Sequence, residues 1–268
     1  MASSREPVYR PVIGFAKLVF RGLGIKFDIT GQEHVPHHGG AVMAINHTGY
    51  LDFTFAGLGV LPTKRLVRFM AKKEVFDHKV SGPLMRGMKH IAVDRVSGAE
   101  SFQEAVKKLA AGEIVGVFPE ATISESFDLK GFKTGAVRMA QEAGVPVLPC
   151  VIWGSHRIMT KHRKKDLRRG QHVRICLGEL FTPAPTDDPV EATAELKRRM
   201  QLLLDEARAT YQGTPHDADD TWWVPASMGG TAPTLEAAEA RDALIREKRA
   251  ADRAARDARP EAGPDSKA

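Results

Sequence analysis

A chain of 268 residues, 43% of them hydrophobic, is long enough to bury a sizeable core, and one α/β domain plus a tail is the simplest organisation. No stretch offers the roughly 20 uncharged apolar residues that a spanning helix needs; residues 8–27 come nearest but carry Arg10, Lys17, Arg21 and Lys26, so a transmembrane segment is excluded. The net charge of +6 favours an anionic partner, yet aromatic residues make up only 7% and none alternates with the basic residues as a base-stacking platform requires, so nucleic acid is not the expected one.

The N-terminus lacks the basic start, apolar core and small-residue cleavage site of a secretory signal, so the protein is expected to stay in the cytoplasm. Across residues 8–23, Val12, Ile13, Phe15, Ala16, Val19, Phe20 and Leu23 form a broad apolar face with Lys17 and Arg21 at its edge, the pattern of an amphipathic helix. Such a helix either packs on the domain or lies in a membrane interface with its cations on anionic headgroups. Residues 26–30 alternate like a strand. The loop at 31–40 holds His34, His37 and His38, read as solvated because no companion metal-ligand set accompanies them.

A buried strand follows at 41–45, then a helix at 51–60 and a strand at 66–70 leading into a helix that starts near Lys73. Residues 80–88 suit a further short helix, and 89–93 a strand. Ser97 then caps a helix to about Ala111, ended by Gly112. Residues 113–118 read as a strand, 134–143 as a helix stopped by Gly144, and 145–153 as a strand in which Pro146 and Pro149 suggest an edge or a bulge. The basic run at 157–169 reads as a solvated loop or as a binder of anionic headgroups or of the phosphates of a phosphate-bearing cofactor. Residues 172–177 form the last strand. Asp187-Asp188-Pro189 opens a helix whose apolar face comprises Leu196, Met200, Leu203, Leu204, Ala207 and Tyr211. Cys150 and Cys176 lie inside apolar runs and read as buried, reduced thiols. Trp222-Trp223 should anchor a looser segment, and residues 235–259 a marginal exposed helix before a disordered end.

The fold class expected is therefore α/β, with a largely parallel mixed central sheet flanked by helices, an N-terminal amphipathic helix (1–24), the main domain (25–213) and a C-terminal helical tail (214–268). His47, Arg95 and Glu120 each follow an apolar strand, which puts all three on one edge of a parallel sheet, at the carboxyl ends where ligands bind. A base, a cation and a carboxylate meet there.

His47 and Asp52 are the candidate catalytic pair. A histidine that takes a proton from an alcohol needs a carboxylate to fix its tautomer and to stabilise the imidazolium. Five residues along an ideal helix leave two side chains about 140° apart. The pair therefore meets only if His47 lies in the turn before the helix that carries Asp52, a turn that Gly49 eases. A surface ion pair is the alternative.

Asn46-His47, four residues and Asp52 resemble the first signature of the glycerolipid acyltransferases, the family of 1-acylglycerol-3-phosphate acyltransferases. His90-Ile91-Ala92-Val93-Asp94-Arg95, Val117-Phe118-Pro119-Glu120-Ala121-Thr122 and Val145-Pro146-Val147-Leu148-Pro149 resemble the later blocks in order, across residues 25–180. The resemblance implies that His47 deprotonates a lysophospholipid hydroxyl as it attacks the thioester of acyl-CoA or acyl carrier protein, with Asp52 orienting the ring and backbone N–H groups holding the oxyanion. No cofactor or metal is implied, and the protein would work on the cytoplasmic face of the membrane as a peripheral enzyme.

Acceptor binding falls by resemblance on Arg95, Glu120 and the residues after it, Ala121 and Thr122. Here the chain departs, with Ala121 where glycine is usual and Ile123 where arginine is usual. Losing a charge-assisted phosphate contact costs about 1.5–3 kcal/mol. Lys130 and Lys133, leading into a helix N-terminus, are the candidates to replace it.

Overall fold

The computed structural model describes residues 6–94 and 98–257. Its seven strands are β1 (Lys26–Thr30), β2 (Ala41–Ile45), β3 (Val67–Lys72), β4 (Ile91–Val93), β5 (Ile114–Val117), β6 (Val147–Trp153) and β7 (His172–Leu177), in one sheet of order β1-β7-β6-β2-β5-β3-β4. Every pairing is parallel except that of β6 with β7. The pair β1–β7 therefore runs against the other five, and the sheet is mixed, as the alternating pattern suggested.

The helices are α1 (Tyr9–Gly22), α2 (Asp52–Val60), α3 (Lys73–Asp77), α4 (Ser81–Gly87), α5 (Gly98–Ala110), α6 (Gly135–Ala143), α7 (Ser155–Ile158), α8 (Pro189–Ala209) and α9 (Leu235–Asp257). Local chemistry sets their ends. Asp188 caps α8 by accepting the N–H groups of Val190 and Glu191 at 2.7 and 3.0 Å, with Pro189 at the first helical position. Gly144 ends α6 in the left-handed conformation, at φ 64°. None of the helices described is long and apolar enough to cross a membrane.

Side-chain alternation divides the core. Val42, Ala44, Val115, Val117, Val147 and Val151 face α5, α6 and α8, while Met43, Ile45, Ile114, Leu148, Cys150 and Ile152 face α1 and α2. Both faces are covered, so β2, β5 and β6 are buried throughout and read as unbroken apolar runs. Cys150 and Cys176 are free and buried.

Two expectations need correction, the first only in part. Pro149 lies in an interior strand, paired with Ala44 of β2, and so marks a bulge and not an edge. It is tolerated because its nitrogen faces β7 where that ladder has ended: Gly178 donates to the Pro149 carbonyl, and the chain rejoins only at the Val147–Phe181 bridge. His34 is not a solvated loop residue, since its Nδ1–H donates to the Leu177 carbonyl at 3.0 Å and ties the β1–β2 loop to the end of β7.

Close packing of β5 on β3 depends on Gly116, where an added Cβ would lie 2.6–2.7 Å from the Phe69 ring and the Val67 side chain. Gly116→Ala is expected to lower stability by about 1–3 kcal/mol through overpacking, read as a fall in the urea midpoint at unchanged slope.

Candidate active site

The site begins where β2 leaves the sheet. Asn46 is fully buried, and its side-chain amide takes over the ladder: Nδ2 donates to the Ile152 carbonyl at 3.0 Å and Oδ1 accepts the Ile152 N–H at 2.7 Å. One side chain thus satisfies both polar groups of a β6 residue, which frees the main chain to turn out of the sheet at His47. The turn is fastened on every side. The carbonyl of His47 accepts from Ser124 N–H at 2.7 Å, that of Thr48 accepts from Thr160 Oγ1 at 2.7 Å, and Tyr50 N–H donates to the Met159 carbonyl at 3.0 Å.

Asp52 opens α2 and is fully buried. Its Oδ2 accepts from His47 Nδ1 at 3.0 Å, Thr48 N–H at 2.7 Å and Gly49 N–H at 2.8 Å, and its Oδ1 accepts the Ser155 hydroxyl. A carboxylate only accepts, so Nδ1 of His47 carries the proton and Nε2 of the neutral ring presents a lone pair. The imidazole also stacks on Phe118, with ring centroids 4.1 Å apart. His47 therefore sits in the turn before the helix, as the spacing required. Gly49 plays a different part from the one expected: its φ is not positive, and the absent side chain makes room for Ser155, whose Oγ would lie 3.0 Å from a Cβ there.

Glu120, at the carboxyl end of β5, is buried and bridges two main-chain donors: Oε1 accepts His47 N–H at 2.8 Å and Oε2 accepts Lys130 N–H at 3.1 Å. Burial pushes its carboxyl up to about 7, against the opposing pull of those two hydrogen bonds and the Lys130 charge. The amides of residues 47–50 are thus all committed, to Glu120, to Asp52 and to Met159. Backbone donors for an oxyanion therefore have to come from outside these four residues.

The other expected residues divide. Ala121 is exposed and holds a left-handed φ of 62°, the conformation for which glycine is suited. Lys133 is exposed on the approach to α6. Lys130 is not an open cation: it is buried, with Nζ on Thr122 Oγ1 and, at 2.8 Å, on Asp242 of α9. Ile123 is buried. Arg95 lies outside the described residues.

Ser155 is a site residue that the sequence did not single out. Ser155 starts α7 and supports Asp52 from below, while His156 is fully buried, stacked on Phe127 at 4.2 Å and donating from Nε2 to the Trp223 carbonyl at 3.1 Å. Burial pushes its imidazole down to about 3. The only signal was adjacency of a small polar residue to a strand end, which is too common to single out. The basic run is also less open than its composition suggested. Arg157 is buried against Asp220 and the Trp223 ring, Lys161 reaches Asp242, and Arg168 pairs with Asp166. Lys164, Lys165 and Arg169 remain exposed.

Between α1 and α2 runs an apolar groove lined by Val12, Ala16, Phe53, Gly57, Leu58 and Phe69 among others. It flanks the helix whose first residue is Asp52.

A family model described as Acyltransferase matches residues 26–153, from the start of β1 to the end of β6, a span that includes His47, Asp52 and Glu120. The 1-acyl-sn-glycerol-3-phosphate acyltransferase of Bacillus subtilis (strain 168) is 37% identical over 194 residues, covering 69% of this chain and 90% of its own. A Chlamydomonas reinhardtii protein of the same name is 31% identical over 167 residues, covering 61% of this chain and 49% of its own. Among solved structures, the 1-acyl-sn-glycerophosphate (LPA) acyltransferase PlsC from Thermotoga maritima superposes with a TM-score of 0.65 at 22% identity, over 76% of this chain and 81% of that one, and so shares the fold.

Two measurements test this geometry. Ala121→Gly is expected to raise stability by about 1 kcal/mol, because it relieves a left-handed alanine whose methyl makes no buried contact; chemical denaturation reads it. Glu120 has a folded pKa near 7 against an ordinary 4.5, so its contribution to stability is present below pH 4.5 and lost as pH rises to 7. Glu120→Gln does not titrate. Stability of the wild type relative to this variant should fall by up to about 3 kcal/mol between pH 4.5 and pH 7.5, and parallel pH profiles would show that Glu120 titrates normally.

Proposed function

The chain belongs to the 1-acyl-sn-glycerol-3-phosphate acyltransferase family, and on that premise we propose that it moves a fatty acyl group from acyl-CoA or acyl carrier protein to the free hydroxyl of 1-acylglycerol-3-phosphate, giving phosphatidic acid. The observation that carries this reading is the 3.0 Å contact of His47 Nδ1 with a buried Asp52, which leaves Nε2 as the base. Nε2 takes the acceptor's hydroxyl proton as the oxygen attacks the thioester carbonyl. Asp52 stabilises the imidazolium so formed. The tetrahedral intermediate then collapses, the C–S bond breaks, and the proton passes from Nε2 to the leaving sulfur. Products are the ester and a free thiol.

The apolar groove beside α2 suits an acyl chain, being walled by aliphatic and aromatic side chains close to Asp52. Membrane association is part of the same proposal. α1 exposes Phe15 and Leu18, 69% and 67% accessible, beside Arg10, Lys17 and Arg21, and Val80 and Leu84 add apolar surface near α4. That combination suits shallow insertion with cations at the headgroups of a cytoplasmic membrane face.

A second reading, an acceptor other than 1-acylglycerol-3-phosphate, is favoured by one observation: Ile123 occupies the arginine position of the family's third block and is buried. Thiol release from palmitoyl-CoA separates the two. Release should require lysophosphatidic acid, be absent with neutral or zwitterionic lysolipids, and drop by about 10²–10⁴-fold in His47→Ala while vesicle binding persists. Release supported by another lysolipid selects the second reading, and release without an acceptor makes the protein a thioesterase.

A further inference from the structure

α9 lies beyond the sheet and outside the matched family region, yet it returns to the edge that carries the site. Its contact stripe is narrow. Leu235, Ala238, Asp242 and Ile245 turn inward, and the charged Asp242 is one of its two most buried members. Little apolar area holds the helix; ion pairs do. Arg241 Nη1 reaches Glu125 Oε2 at 2.6 Å, and Asp242 meets two lysines.

The surroundings of Asp242 are built for an anion. Thr122 Oγ1 and Lys130 Nζ both donate to Oδ2 at 2.8 Å, and Lys161 Nζ reaches Oδ1 at 3.3 Å. These donors come from two loops, Thr122 and Lys130 from the one between β5 and α6 and Lys161 from the one after α7. Burial opposes ionisation of Asp242, but the hydrogen bonds from Lys130 and Thr122 prevail and hold its carboxyl at about 2. The carboxylate fits incompletely: two donors crowd one oxygen, and the third contact is long. A phosphate monoester has three terminal oxygens and nearly two charges, one oxygen for each donor. Glu125 borders the pocket, 3.4 Å from His162 Nε2 and 4.0 Å from Lys161 Nζ, and would turn to these when Arg241 departs.

The pocket also adjoins the chemistry. Lys130 N–H and His47 N–H share the Glu120 carboxylate. One side chain separates the anion site from the catalytic turn.

We propose that Thr122, Lys130 and Lys161 form a phosphate-monoester site and that Asp242 occupies it from within, so that α9 competes with the phosphate of a substrate and is released when that phosphate binds. This deepens the acyltransferase reading and rests on it. Two substrates of that reaction carry such a group: the lysophospholipid acceptor and the 3′-phosphate of coenzyme A.

The test follows trypsin cleavage of the full chain after the exposed Arg246 and Lys248. In the wild type, cleavage should accelerate when the occupying monoester is added. Acceleration by 1-hexanoylglycerol-3-phosphate assigns the site to the acceptor; acceleration by coenzyme A but not by 3′-dephospho-coenzyme A assigns it to the donor. Asp242→Ala should be cleaved rapidly without ligand, and its KM for the phosphate-bearing substrate should fall about three- to tenfold at nearly constant kcat, because the internal competitor is gone. Cleavage that no phosphate monoester changes, or an Asp242→Ala KM that is unchanged or raised, overturns the proposal and leaves Asp242 a structural clamp. The cleavage arm needs no turnover and no variant. If the protein transfers no acyl group to any lysolipid, the functional reading fails while the anion site is still judged by cleavage.

Discussion

The Asp52 carboxylate is the point on which the site depends. Taking a carboxylate out of water is costly unless its lone pairs are used, and here four donors from two separate stretches of chain use them. Position matters as much as number. Asp52 begins α2, where helix amides favour negative charge, and its acceptance of Thr48 and Gly49 N–H folds the preceding turn back over the helix start. The His47 ring is thereby placed before any substrate arrives. Removing the carboxylate would strand buried amides and a hydroxyl together, so the geometry of the base and the integrity of the turn are one property.

A sheet is what allows so many groups to converge. β6, β2 and β5 are adjacent and parallel, and their carboxyl ends deliver Ser155, His47 and Glu120 to one edge. The catalytic turn is the middle of the three, gripped by Glu120 and Ser124 on one side and by Ser155, Met159 and Thr160 on the other. Asn46 serves both sheet and turn, since its amide ends the ladder without orphaning Ile152. Loops after parallel strands are free to diverge chemically while the strands fix where they start. The replacement of the usual glycine by Ala121, at the cost of a left-handed alanine, occurs in such a loop.

Much of this was legible in the chain. β2, β5 and β6 are short apolar runs and β1 alternates, and the seven expected strands lie within about two residues of the observed ones. His47 and Asp52 were legible too, because a turn-plus-helix geometry links two residues close in sequence. What was not legible is long-range. Lys130 has the composition of a phosphate ligand, but its partner lies 112 residues away. Ser155 is recruited across 103 residues by a carboxylate whose burial no local pattern announces. The role of Gly49 and the commitment of the turn amides likewise depend on what packs against them. The basic run misled for the same reason: charge is visible in sequence, but the acids that neutralise Arg157 and Lys161 stand at positions 220 and 242.

The pairing of β1 with β7 bears on how the molecule is made. Lys26 lies beside His172, so the first strand of the sheet has no partner until the last has been synthesised. At ribosomal rates the interval is on the order of ten seconds, during which the five strands of the other direction can assemble from β2 onward and α1 is tethered to a strand that cannot yet dock. The closing event of folding is therefore the joining of the two ends of the sheet sequence, with its high contact order. α1 itself does not wait for that moment: Tyr9 donates to the Val67 carbonyl and Phe20 packs on Phe55, partners made long before β7, so the amphipathic helix can dock on its own domain while the sheet is still open at one end.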